Sequence, residues 1–187
     1  MHAHIYTTLL YHIKYAALQN LVYEREGRQK EVANEVGKKW ASAQTLTGPF
    51  LIIPYKIAVK DSSGHITNIK KFAHFLPNDL NINGNLLPEI RYRTIYKIIV
   101  YKSQSSFEGN FIINPSAMGI TSEDLLLNEA KVCFGLSDFR GIEERIKLKW
   151  NNTDYVFDGG LPSNDVADDG IQTPINLTAD DFNKPAR

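Results

Sequence analysis

One thiol, one acid and one base stand close together in KVCFGLSDFRGIEE: Cys133, Asp138 and Arg140, with Gly141 directly after. A cysteine does nucleophilic chemistry when its pKa is lowered and a base stands within reach, and His74 in KFAHFLP is the base this reading would enlist. Against it, Val132, Cys133, Phe134 and Leu136 read as a strand, where a lone cysteine is a small buried hydrophobe. Asp138 and Arg140 then follow at a spacing that suits a turn. Ser137 or Asp138 accepts backbone N–H groups there, and Gly141 offers the positive φ that reverses a chain. A turn explains every residue type; chemistry explains some. Asp138, Arg140 and Gly141 are therefore read as a structural turn, and no catalytic residue is assigned.

Arg91 and Arg93 lie two apart beside Glu89, on one face of a strand. They form either a cross-strand charge ladder or a site for an anion. The histidines make no ligand set. His2 and His4 are terminal, His12 sits in a helical stretch, His65 adjoins a turn glycine, and His74 alternates near a strand end. Without Cys/His pairs or HExxH, no zinc site is expected. SNDVADDG fails as a calcium loop, since Ala167 and Asn176 fall where ligands are required. Asp165, Asp168 and Asp169 are read as a solvated loop. The phosphate, dinucleotide and serine-hydrolase signatures are missing, so no metal and no cofactor is expected.

The elements that must position these residues fall into two regions. Residues 1–44 are expected to be a long helix: from Ile5 to about Trp40 helix formers dominate and proline is absent. Val32 and Val36 share a face, and Glu24, Arg28 and Glu31 are spaced for pairing. Residues 45–187 are expected to form a mainly β, antiparallel, sandwich-like domain. FLII is bounded by Pro49 and Pro54, KIAVKDSSGHITNIKKFAHFLP reads as two strands about a Ser-Ser-Gly turn, and Asn83-Gly84 signals a turn. TIYKIIVY is strand-rich, and a helical turn is expected near Ser122. IKLKWNNTDYVFDGG is a hairpin about Asn151-Asn152.

Composition narrows the function classes. In 187 residues the 21 basic and 21 acidic side chains cancel, so no net field draws in nucleic acid, which is not expected as a partner. The 43% hydrophobic content supports a sizeable core. One cysteine leaves the compartment undecided. IYTTLLYHIKYAALQNLVY has the length of a membrane span, but Lys14 near its centre costs about 2.5–3.5 kcal/mol on insertion, so it makes a poor spanning helix.

YEREGRQKEV, QTLTGPFLIIPY, FAHFLPNDLNINGNLLPEIRYRTIYKIIVYKSQSSFEGNF and SDFRGIEE occur in an order that resembles the CreD-like inner membrane protein family. The likeness runs from about Leu21 to Leu177, on TGP before a proline-bounded strand, FLP then ING, R-x-R-x-x-Y, and SDxRGI. It implies a β-rich extracytoplasmic domain of a bacterial inner membrane protein, facing the periplasm or cell exterior. It further implies a part in envelope integrity and in tolerance of colicin and β-lactam, with action through interaction rather than catalysis. Matched positions expected to define the fold are Gly48, Pro49, Pro54, Pro77, Gly84, Arg93, Tyr96, Asp138, Arg140 and Gly141. In the family this domain follows one amino-terminal membrane helix, matched here by the polar IYTTLLYHIKYAALQN, and precedes a carboxy-terminal group of spans with no counterpart in this sequence. The sequence also stops before the rest of the family's extracytoplasmic domain, so the β domain is expected to be incomplete and membrane contact to run mostly through segments outside it. Envelope proteins are the partners this implies. A lipid- or wall-fragment-binding domain using Arg91 and Arg93, and a thiol-dependent hydrolase using Cys133, are the alternatives.

Overall fold

The computed structural model describes residues 2–40 and 44–185, with helix side chains described from residue 14 to residue 38. His2, His4, His12 and the apolar side chains from Ile5 to Ile13 lie outside that description. The fold is mainly antiparallel β with one long amino-terminal helix. It divides into two compact units, Met1–Ser42 with Leu86–Ser103, and Ala43–Asn85 with Gln104–Arg187.

In the first unit, helix α1 spans His2–Trp40. Val32, Ala33 and Val36 are half-buried at helical spacing, whereas Tyr15, Leu18, Leu21, Val22 and Tyr23 are exposed. The unit's other part is the distal half of a hairpin made from β3 (Asp79–Arg93) and β4 (Tyr96–Asn110). Before β3 come β1 (Leu46–Lys60) and β2 (Ile66–Phe75), both in the second unit. Arg93 Nη2 reaches Glu35 Oε1 of α1 at 3.0 Å, which joins hairpin and helix within the first unit.

The second unit is organised on a five-stranded sheet in the order β2-β1-β5-β9-β8. Here β5 is Lys131–Leu136, β8 is Asp158–Gly159 and β9 is Gly170–Pro174. Strand alternation sends Leu51, Ile53, Val132 and Phe134 into the larger core and Phe50, Ile52 and Cys133 into a smaller layer on the opposite face. Both faces are covered, which is why FLII reads as an unbroken apolar run. Burial of each large side chain contributes about 1.5–3 kcal/mol. The main core is closed by Trp150 and Leu148 of β6 (Lys147–Trp150) and Tyr155 of β7 (Thr153–Val156). Asn151 and Asn152, at φ 44° and 67°, turn that hairpin.

β1 is longer than the proline-bounded FLII. Pro54 stands inside it, opposite Phe72 of β2. Its carbonyl accepts from Leu126 N–H at 2.7 Å. In an antiparallel strand a residue's N–H and C=O share a side, so the donor proline lacks would point toward Leu126, away from the β1–β2 ladder. At the other end, Gly48 has φ 118° where the β1–β5 register shifts between Thr47 and Phe50. A Cβ there would also crowd Phe50 Cδ1 at 3.0 Å.

Asn83-Gly84 makes no turn, contrary to its local signal; it lies within β3. Leu80, Ile82, Leu86, Ile90 and Tyr92 keep one phase across it, and this unbroken alternation outweighs the dipeptide's preference. Glycine is favoured there for space, because Ser105 Oγ lies 3.1 Å from where a Cβ would stand. The reversal comes at Thr94 and Ile95, with Thr94 at φ 56°.

Candidate functional site

β5 carries the chain from the core to Ser137, and the next residues build the turn. Asp138 Oδ1 accepts the Arg140 backbone N–H at 3.0 Å. Arg140 Nε donates to Oδ1 at 3.0 Å and to Oδ2 at 2.9 Å, and Nη2 donates to Oδ2 at 2.5 Å. The chain then reverses past Gly141, with Ile142 N–H donating to Phe139 C=O at 3.1 Å. Ser137 anchors the start, its Oγ accepting Thr45 N–H at 2.8 Å.

The Arg140 side-chain bonds, then its backbone N–H, hold the Asp138 carboxyl below the ordinary carboxylate range. Asp138 raises the Arg140 guanidinium in return, through the same side-chain bonds. A depressed carboxyl stabilises the fold above its unfolded pKa of about 3.9 and loses that contribution as pH falls through the folded value. Asp138→Asn should therefore flatten the acid limb of stability below about pH 4 while leaving the slope near neutrality unchanged. Urea midpoints across an acid pH series test this.

Beside the turn is an open cavity of about 420 Å³. Phe139, Ile142, Ile146, Phe157 and Ile171 give it apolar walls, and Glu143, Glu144 and Arg145 also line it. It could hold an apolar group, with the charged side chains gripping a polar end. Its trace in the sequence is apolar Phe139, Ile142 and Ile146 interleaved with Glu143-Glu144-Arg145, a pattern with no motif to single it out.

Cys133 is fully buried between β1 and β9, opposite Phe50 and Gln172. Burial pushes its thiol up to about 12, despite the opposing charge of Lys131. His74 lies opposite Ile52 on β2, the far side of β1 from β5. Two inter-strand spacings put those backbones about 10 Å apart, and Phe50 and Ile52 fill the layer beside the thiol. The fold does not assemble a thiol–imidazole pair. His74 Nε2 instead lies 3.8 Å from Asp165 Oδ2.

Arg91 and Arg93 both sit on the first unit's part of β3. Arg91 Nη2 meets Glu89 Oε1 at 2.8 Å, and Arg93 is held by Glu35. In the acidic loop, Asp165 binds Ser163 and Asp169 Oδ1 accepts Gly170 N–H at 2.8 Å. Among the described residues no cluster of three or more His, Cys, Asp or Glu side chains could hold a metal ion. Nor is any described helix long and apolar enough to cross a membrane.

No curated protein and no solved structure is a match to this chain. The family model described as inner membrane protein CreD matches residues 2–186. The likeness carried by the TGP, R-x-R-x-x-Y and SDxRGI segments thus extends along nearly the whole sequence, and the chain belongs to the CreD inner membrane protein family.

Proposed function

We propose that the chain is the extracytoplasmic part of a bacterial inner membrane protein that sustains envelope integrity under stress such as colicin or β-lactam. It acts by contact rather than by turnover. The observation that carries this reading is the use to which the reactive residue types are put. The thiol is sealed in a sheet layer and the Asp138–Arg140 pair closes a turn. Groups held this way set the shape of a surface.

The reading is tested by complementation in a strain that depends on the protein. Cys133→Ala should restore stress tolerance to the wild-type level at equal protein abundance. Loss of tolerance with the protein present in normal amounts would overturn action by contact and restore the thiol reading.

A further inference from the structure

The β3–β4 hairpin sorts its side chains by parity. The close approach of Ser105 Oγ to Gly84 puts even-numbered β3 positions on the same face as odd-numbered β4 positions. In the first unit that face carries Leu86, Ile90 and Tyr92 with Ile99 and Tyr101, all between 47% and 73% exposed. The opposite face holds buried Ile98 and half-buried Glu89, Arg91 and Val100. An apolar face of this extent on a folded unit marks an interaction surface.

We propose that this face rests in the headgroup region of a phospholipid bilayer. Three observations select lipid as the occupant. The family is one of inner membrane proteins, so a bilayer is at hand. Between Leu86 and Ser103 the face bears Lys97 and no carboxylate, which complements anionic headgroups. Tyrosines beside aliphatic side chains have the amphipathic character of an interfacial anchor. The depth follows from the ribbon itself. Among the described residues β3 and β4 form a sheet of two strands, and open strand edges are tolerated by the headgroup layer but not by the hydrocarbon core.

The test uses the full chain and vesicles of mixed phosphatidylglycerol and phosphatidylethanolamine. Ile90→Ser, Tyr92→Ser and Ile99→Ser together should lower partitioning about tenfold or more, with circular dichroism unchanged. Val59→Ser with Val156→Ser serves as the comparison and should leave partitioning unchanged, since these exposed residues lie on β1 and β7 of the second unit. A second measurement does not depend on how the triple variant folds. Ile99→Cys in a Cys133→Ala background, labelled with an environment-sensitive fluorophore, should shift to the blue on vesicles and be quenched by lipid-borne quenchers. A label that stays in water on vesicle-bound protein overturns the proposal. So does a blue shift without lipid that tracks a concentration-dependent dimer, which would assign the face to a second copy. The inference rests on the family's membrane location, and its failure alongside intact complementation would leave the contact reading standing.

Discussion

Replacing Phe134 by alanine should remove about 3–5 kcal/mol of stability. Phe134 is the aromatic hinge of the larger core. Its ring meets Phe107 edge-on at 5.2 Å and Phe157 at 5.6 Å, joining β4, β5 and the residue that follows β7. Truncation loses the transfer energy of the ring, two edge contacts of about 0.5–1.5 kcal/mol each within that total, and whatever cavity the sheet cannot close. Relaxation is restricted on one side. Next to Phe134, Gly170 approaches so closely that a Cβ there would overlap the Phe134 carbonyl oxygen, so β5 and β9 are already in tight contact. The expected readout is a large fall in the denaturant midpoint with little change in slope. Val156→Ala, at an exposed position of β7, should change stability by no more than about 0.5 kcal/mol. A Phe134→Ala loss below about 1 kcal/mol would contradict the central place given to β5.

Much of the sheet was legible because both sheet faces are buried. FLII and VCFGL are continuous apolar runs, and the Asn-Asn hairpin announced itself by alternation and turn chemistry together. The Asn83-Gly84 dipeptide misled because turn preference is local, whereas register is set by every residue of a ribbon. Thr94 carries the true reversal at a positive φ that threonine seldom adopts, so nothing in its type pointed there. Pro54 looked like a strand end for a related reason. Only the position of Leu126, far along the sequence, shows that the donor missing at Pro54 costs the β1–β2 ladder nothing.

The candidate site was legible in part. The Asp138–Arg140 bond follows from two residues at a spacing that a turn satisfies by itself. The neighbouring cavity was not legible, since Phe157 and Ile171 reach it only through the pairing of β8 and β9. Glu35 as the partner of Arg93 was equally hidden, being 58 positions away. The division into units was obscured by the same kind of distance. The distal half of the β3–β4 hairpin groups with α1 rather than with the other strands, and no composition shift marks that point.

Cys133 bears most directly on whether the molecule works by chemistry or by contact. Its side chain is sealed by Phe50, Ile52, Phe72 and Leu161. Desolvation is the larger influence on the thiol, and the Lys131 charge only partly offsets it. A folded-state pKa raised in this way stabilises the protein below the ordinary thiol value, and that contribution is lost as pH rises from there through about 12. A thiol held un-ionised in this way offers far less thiolate near pH 8 than a free one, before access is counted. The decisive measurement is the reaction of native protein with Ellman's reagent, beside the same protein in denaturant. The account predicts one thiol released promptly on unfolding and essentially none from the folded molecule. Rapid stoichiometric reaction of the folded protein would contradict it.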